Sequence, residues 1–575
     1  MDQGKRHGSD ETILGAPAAA RPVSSSFAWV GSLGVFAGFA LLIVAVFLWS
    51  ARHHGEEALA RTSAPLFTLA TLLVVAVGGS SAWPLLERLV APIRRNPRRS
   101  LLLAVGITCA LLLLLARVAL DAFPNSGDEY AYVLQGKTFA SGRLWVDAPS
   151  LLEPFQMLRF VAKDGRWLSI YQPGWPLLLA VPERLGLPNW FVDPLLGAGL
   201  AWGFYKLARL HVAAEAAWVA LLALCTCSFF LLNFASYFGH GAGALAAVLF
   251  AYSGKRYLDS GLKHWAVLAG LCLGALGFIR ALNAVLLALP FVAALLLTRG
   301  RRQGLLWFAL GGVPFGLLLL GYNHAVTGSP LQLVQAWVAP GREPLGAPST
   351  QSLGETTKRL VRLYLWTSPV FFVGWPLAFA TLLRRGRLSF VDWLAPLIVI
   401  GFATYGGTGG DQYGPRYYFE GWPFALVTLA KAIEPIFSSR ARHTTWIAAA
   451  ILAHLAFQVG YLLPRVAREH RVVMERQEVY RQVAAAGLSN AVVVITDSKI
   501  ETPQTTRLMP ARDLVRNGLV IGDESVTYAA DRGDEFNERL RALFPGRQLY
   551  RYFQGKLQRA TDPSGRLIPK PPDTF

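Results

Sequence analysis

The sequence predicts an α-helical polytopic membrane protein with extracytoplasmic loop helices and a small C-terminal α/β domain. Three observations predict it. Of the 575 residues 53% are hydrophobic, with a mean hydropathy of +0.38, and long apolar runs recur along the chain. About 20 such residues cross a bilayer as a helix, because only intrahelical hydrogen bonds satisfy the backbone in hydrocarbon. Basic residues fall in alternate short loops, and beyond Pro464 the apolar runs give way to a stretch, 465–486, with charged and apolar residues at helical spacing and then to short strand-like segments.

Residues 1–26 are polar and rich in Gly, Ala and Ser, and read as a disordered cytoplasmic tail. Two spans, near 29–49 and 65–85, fill the segment 27–99. The first is too long for a signal peptide and nothing resembling a cleavage site follows it. Further spans are expected near 101–122, 190–210, 214–234, 238–254, 264–280, 283–299, 305–322, 363–383, 392–408, 418–434 and 444–463. That makes about 13 in all.

The net charge of +19 would suit a nucleic-acid partner, but its distribution excludes that class. The charge lies in Arg94, Arg95, Arg98 and Arg99, in Lys206 and Arg209, and in Lys255 and Arg256. It continues in Arg299, Arg301 and Arg302, in Arg384, Arg385 and Arg387, and in Arg440 and Arg442. This positive-inside pattern puts the N-terminus in the cytoplasm of a cytoplasmic (inner) membrane protein. An odd number of spans then leaves the C-terminal segment outside. Cys109, Cys225, Cys227 and Cys272 all lie in apolar segments and read as small core residues.

Two outer loops are long, 124–189 and 323–362. In the first, Lys163-Asp164-Gly165-Arg166 is a turn signal between short apolar runs. Pro173–Leu187 reads as a helix lying in the interface, since Pro182, Glu183 and Pro188 argue against a span. In the C-terminal segment 465–575, strands are expected at Ala491–Thr496, Ser525–Ala529 and Gln548–Phe553, and a helix at Asp534–Phe544.

The unusual polar residues gather on one side. Asp128 and Glu129 stand just outside a span that ends near Phe123, where two adjacent carboxylates are costly unless they meet water or a cation. His240, Arg280, Asn323, Asp411, Arg416 and Glu420 also fall at outer ends or outer turns. A transporter would instead hold ionisable groups near mid-bilayer in broken helices. A one-sided cluster fits a surface-facing active site. Arg117 and Asp121, one helical turn apart, also read as a simple intrahelical ion pair. His240 also reads as a helix cap, and much of the Trp and Tyr content as an interfacial belt.

Five motifs occur in order on this outer side. They are Gly127-Asp128-Glu129-Tyr130-Ala131-Tyr132, Tyr171-Gln172-Pro173-Gly174-Trp175-Pro176 and Gly277-Phe278-Ile279-Arg280, then the stretch from Tyr322 to Pro330, and Gly414-Pro415-Arg416-Tyr417-Tyr418. Together they resemble the GT-C class of membrane glycosyltransferases, which includes protein O-mannosyltransferases and bacterial aminoarabinose transferases. The resemblance covers about residues 100–464, and departs from the family in the two spans before residue 100 and in Ala281 after Arg280.

The resemblance implies a GT-C-like catalytic core that moves a sugar from a polyprenyl-phosphate donor to a protein, lipid or surface-glycan acceptor outside the membrane. It implies Asp128 as the base, with Glu129 in support. Deprotonating an attacking hydroxyl or amine needs a positioned carboxylate, and the lipid phosphate leaving group needs a cation. Arg416 is the first choice for that cation and Arg280 the second. Tyr171, Trp175, His240, Asn323, Asp411 and Tyr417 are the expected substrate-binding residues. No metal or other cofactor is expected. A flippase for lipid-linked sugars and a non-catalytic envelope assembly protein are the alternatives.

Overall fold

A computed structural model describes residue 93 and residues 95–569, except 340–349, 406–409, 439–440, 503–504 and 563. The tail 1–26 and the expected spans 29–49 and 65–85 lie outside the described residues. The first described helix, α1 (Pro97–Leu114), opens on a proline and ends in a π turn, Leu115–Ala119. Asp121 and Ala122 then take left-handed φ values of 49° and 50°. Non-glycine residues in that region each cost about 1–3 kcal/mol, so other contacts must hold this exit.

The first outer loop folds as α2 (Gly127–Ala140), a three-stranded antiparallel sheet and α3 (Gly174–Arg184). The sheet comprises β1 (Val146–Asp147), β2 (Phe160–Lys163) and β3 (Arg166–Ser169). Asp164 and Gly165 join β2 to β3 with φ values of 52° and 74°, the paired left-handed residues a two-residue hairpin requires.

The helical body continues with α4 (Val192–Arg209), α5 (Ala214–Thr226), α6 (Ser228–Phe234), α7 (His240–Ser260) and α8 (Lys263–Ile279). It is completed by α9 (Ala281–Leu297), α10 (Gly304–Thr327), α11 (Val334–Val338), α12 (Thr350–Thr367), α13 (Pro369–Arg384) and α14 (Phe390–Ala403). A 3₁₀ turn, Arg416–Gly421, leads into α15 (Trp422–Ser438), and α16 (Ala441–Ala485) follows. Close backbone approach holds neighbouring helices. A Cβ on Gly270 would lie 2.0 Å from the Phe308 carbonyl oxygen, and one on Gly311 equally close to that of Val267, so only glycine fits where α8 meets α10.

Among the described residues, three helical stretches are long and apolar enough to cross a membrane: Pro97–Ala119, Gly304–Thr327 and Ala450–Ala485. Counting α5–α6 and α12–α13 as bent spans makes five. The larger expected number counts α4 and α7 as well, whose glycine- and alanine-rich faces are buried among other helices, the helices α8, α9, α14 and α15, and the two expected spans outside the described residues.

Two further expectations are corrected. The stretch 363–383 is not one straight span: it breaks at Ser368, ahead of Pro369, with a bend of 115°. A residue before proline is driven out of the α region, which sets the break there. Conversely, the last span, expected near 444–463, does not stop there: its helix runs through Pro464 to Ala485. The carbonyl facing the proline ring belongs to Gly460.

One side chain serves both helix breaks. Gln458 on α16 accepts from the Ser228 N–H at 2.7 Å and from the Ser228 hydroxyl at 2.8 Å, at the α5–α6 bend of 58°. Its amide donates to the Thr367 carbonyl at 2.6 Å, beside the α12–α13 bend. These are the backbone groups that broken helices leave without intrahelical partners.

Beyond α16, β4 (Ala491–Ile495) lies between parallel strands β7 (Val526–Ala530) and β8 (Gln548–Phe553), with β9 (Lys556–Arg559) antiparallel on the edge. A hairpin, β5 (Ser498–Thr502) with β6 (Thr505–Met509), projects from it, and α17 (Asp534–Leu543) precedes β8. This sheet has no core separate from the first outer loop. Leu134, Phe155, Met157, Phe160 and Trp167 of the loop share one buried cluster with Val492, Val494, Ala529, Leu540 and Leu549.

Replacing Gln458 with leucine strands Ser228 and Thr367 groups in a dry interior, at about 1–3 kcal/mol for each buried group left unpaired. Thermal unfolding in detergent should show a clearly lowered midpoint for Gln458→Leu, with a smaller loss for Gln458→Glu, which keeps the acceptor.

Candidate active site

The centre is the first turn of α2. Ser126 caps it: its hydroxyl accepts from the Glu129 N–H at 3.2 Å and donates to the Glu129 carboxylate at 3.1 Å. Asp128 and Glu129 are adjacent, so they project about 100° apart around the helix and enter different surroundings.

Asp128 meets two cations. Arg416 reaches one carboxylate oxygen at 2.5 Å and Arg159 the other at 3.3 Å. Tyr171, stacked on Tyr132 at 4.3 Å, supplies a hydroxyl to the same carboxylate. Burial alone would raise the pKa of Asp128. The Arg416 charge, the Tyr171 hydroxyl and the Arg159 charge outweigh it, so the pKa is held below the usual value. The Arg416 guanidinium also lies over the Phe238 ring at 3.9 Å.

Glu129 is fully buried and, among the described residues, forms no ion pair. It accepts from the Tyr237 N–H at 3.2 Å and the Gln412 amide at 3.1 Å. Burial outweighs these bonds and pushes its pKa up to about 7. Two neighbouring carboxylates are thus driven in opposite directions, the pattern that separates an ionised group from one able to hold a proton.

A second cluster lies behind Phe238. Glu420 is an ion-pair partner of Arg280 at 3.1 Å and a hydrogen-bond partner of His240 Nδ1 at 3.2 Å. Arg280 is therefore neutralised locally. Tyr417 stacks on Phe402 at 5.0 Å, with the Arg359 guanidinium 5.0 Å from its ring.

The sequence motifs meet in space. A Cβ on Gly174 would sit 2.6 Å from the Phe278 carbonyl, and the Ala281 N–H donates to the Gln172 side chain at 3.0 Å. Asp128, Arg416, Tyr171, His240, Arg280 and Tyr417 are thus gathered around one region. Three expected substrate-binding residues have other engagements. Trp175 is buried, and its indole donates to the Tyr237 carbonyl at 2.7 Å. Asn323 is buried and donates to the Pro330 carbonyl at 3.1 Å, closing a turn after α10. Asp411 pairs with Arg362 at 2.6 Å. Arg117 and Asp121 do pair at 2.6 Å, but not within one helix, because Asp121 lies past the π turn in a left-handed conformation.

Arg159 escaped the sequence reading. It carries a φ of 64° in a loop, and its side chain is 47% exposed, so it is the cation at Asp128 that a ligand from outside meets first. An arginine between Leu158 and Phe160 matches no motif; its lone charge in an apolar stretch was the available signal. Among the described residues, no three His, Cys, Asp or Glu side chains gather as a metal-holding group.

The two carboxylates should be separable by pH. Folded Glu129 keeps a proton that the unfolded chain loses near 4.5, so it lowers stability as pH rises from there to about 7, and by a constant amount above. Glu129→Gln should gain over wild type across that window, by on the order of 3 kcal/mol, when unfolding midpoints are followed against pH. Asp128 runs the other way: its stabilising contribution is present above the ordinary carboxylate pKa and is lost as pH falls through its lowered value.

No family model matches the chain, and no curated protein matches it in sequence. Solved structures do share its fold. The apo structure of ArnT from Cupriavidus metallidurans aligns with a TM-score of 0.53 at 14% identity, over 78% of this chain and 92% of that one. The same protein bound to undecaprenyl phosphate gives 0.49 at 14% identity, over 69% and 83%. The oligosaccharyltransferase AglB from Archaeoglobus fulgidus, in complex with an inhibitory peptide and a dolichol-phosphate, gives 0.44 at 14% identity, over 65% and 56%. The likeness to apo ArnT shows that the chain shares the fold of that protein.

Proposed function

We propose that this protein is a glycosyltransferase of the cytoplasmic membrane, moving a sugar from a polyprenyl-phosphate donor to an acceptor on the outer face. In this reading the remaining apolar helices also cross the bilayer, making about 13 spans with the N-terminus inside. The segment 465–575 then lies outside. The sugar and the acceptor, whether protein, lipid or surface glycan, stay open.

One observation supports the reading above the others: an ionised carboxylate, Asp128, held between Arg416 and the half-exposed Arg159. A base clamped by two cations is weak, which at first argues against catalysis. The donor resolves this. Its phosphate is a competing anion for the same guanidiniums, and as it enters it draws Arg159 and then Arg416 away from Asp128. The freed carboxylate, now beside a phosphate, binds protons more readily. The base is therefore unmasked when the donor is in place.

The transfer step follows. The acceptor oxygen or nitrogen bonds to the anomeric carbon as the bond from that carbon to the phosphate oxygen breaks. The electron pair stays on the phosphate, where Arg416 meets the developing charge, and the acceptor proton passes to Asp128. Guanidinium groups supply the positive charge, so the proposed step uses no metal. Arg280, neutralised by its pair with Glu420, is left as the second choice for the phosphate, behind Arg416.

Radiolabelled sugar should pass from a polyprenyl-phosphate donor to an acceptor in detergent, at a rate indifferent to a chelator. Asp128→Asn should lower that rate by about 10²–10⁴-fold with the unfolding midpoint largely kept. Movement of the lipid-linked sugar across a bilayer with no new covalent bond would establish the flippase instead.

A further inference from the structure

The approach to Asp128 has no regular structure of its own. Between the π turn of α1 and the cap Ser126, the chain runs through two left-handed residues and then Phe123, Pro124 and Asn125. Four carbonyls along this approach are taken by distant side chains. His470 bonds that of Ala119 at 3.1 Å, and the Tyr237 hydroxyl that of Ala122 at 2.9 Å. Arg516 donates to Pro124 at 2.7 Å, and Arg476 donates to the Asn125 carbonyl. Arg476 also holds the Asn125 side-chain oxygen at 2.9 Å, while the Asn125 amide donates to Tyr413 at 3.2 Å and Glu469 at 3.3 Å. Most of these partners lie beyond residue 465.

Arg516 does more than donate one bond. Its guanidinium lies 4.0 Å from the Phe123 ring centre and 4.9 Å from that of Tyr130, so it sits between the residue leaving α1 and the first turn of α2. The Tyr130 hydroxyl in turn donates to the Asn517 carbonyl at 2.8 Å. Arg476 is anchored from behind by Asp513 at 3.4 Å. Asp128 thus lies on a turn gripped on both flanks by the C-terminal segment.

We propose that Arg476 and Arg516 are positioning residues for Asp128, which makes the C-terminal segment part of the catalytic apparatus and not an appended acceptor selector. The proposal rests on the transferase reading for its kinetic consequence, but its structural content is independent. A carboxylate displaced by about 1 Å loses rate on the order of a hundredfold without weakening donor affinity in proportion. An arginine that only stabilised the fold would move the unfolding midpoint and leave the site's own dynamics and pH behaviour alone.

The test uses the full chain and reads two quantities. In Arg516→Gln, amide hydrogen exchange across residues 121–132 should rise by about tenfold or more relative to the rest of α1 and α2. Transfer should fall in kcat by about tenfold or more with the donor KM within about twofold, and the acidic limb of the rate profile should shift. Arg516→Lys should recover part of both, since it keeps the charge and loses the planar stacking. If Arg516→Gln does not fold, Tyr130→Phe removes the Asn517 contact alone and should give the same changes at smaller size. Unaltered exchange across 121–132 in a folded variant overturns the proposal. Absence of transfer by the wild type counts against the transferase reading only, and the exchange measurement still decides the positioning.

Discussion

Keeping Asp128 ionised at a membrane surface is the constraint on which the rest of this structure depends. A buried carboxylate is stable as an anion only with cations in contact, and here two are recruited from far along the chain. Arg416 comes from the turn before α15 and Arg159 from the loop ahead of β2. Glu129, one residue on, receives only hydrogen bonds and so holds its proton to about neutral pH. The division of labour between identical functional groups comes from which face of one helical turn each occupies.

That constraint reaches outward into the fold. The exit from α1 carries two left-handed residues, and such strain persists only where surroundings over-determine it. Those surroundings are Arg476, Arg516, His470 and Tyr237, together with a buried cluster in which Trp167 and Phe155 meet Val492 and Leu549. The first outer loop and the sheet after α16 therefore form one layer above the helices. The same economy appears lower down, where Gln458 alone satisfies groups at two helix breaks.

Much of this was legible in the sequence because the signals are local. Apolar length marked the helices, a Lys-Asp-Gly-Arg turn marked the β2–β3 hairpin, and an Asp-Glu pair in the wrong solvent marked the centre of the site. Asp128 and Arg416 were both legible as site residues, one as base and one as the cation for the phosphate, but their direct pairing was not. What escaped was non-local. Nothing in the residues around Arg159 says which carboxylate it meets, and nothing in Gln458 or Arg516 says that a carbonyl hundreds of residues away lacks a partner. The break at Ser368 and the helix that runs through Pro464 escaped for a different reason: a proline's effect depends on whether neighbouring helices accommodate the freed carbonyl. Trp175 and Asn323 lie in motifs near the site, but packing, which sequence does not reveal, has committed their polar atoms elsewhere.

The central claim is that Asp128 and the donor phosphate compete for the same two arginines. It is tested most directly by the affinity for sugar-free polyprenyl phosphate, measured by calorimetry in detergent on wild type and on Asp128→Asn. The account predicts that the asparagine variant, though inactive, binds the phosphate lipid more tightly than wild type, because Arg416 and Arg159 are released. Equal or weaker binding by the variant would contradict it.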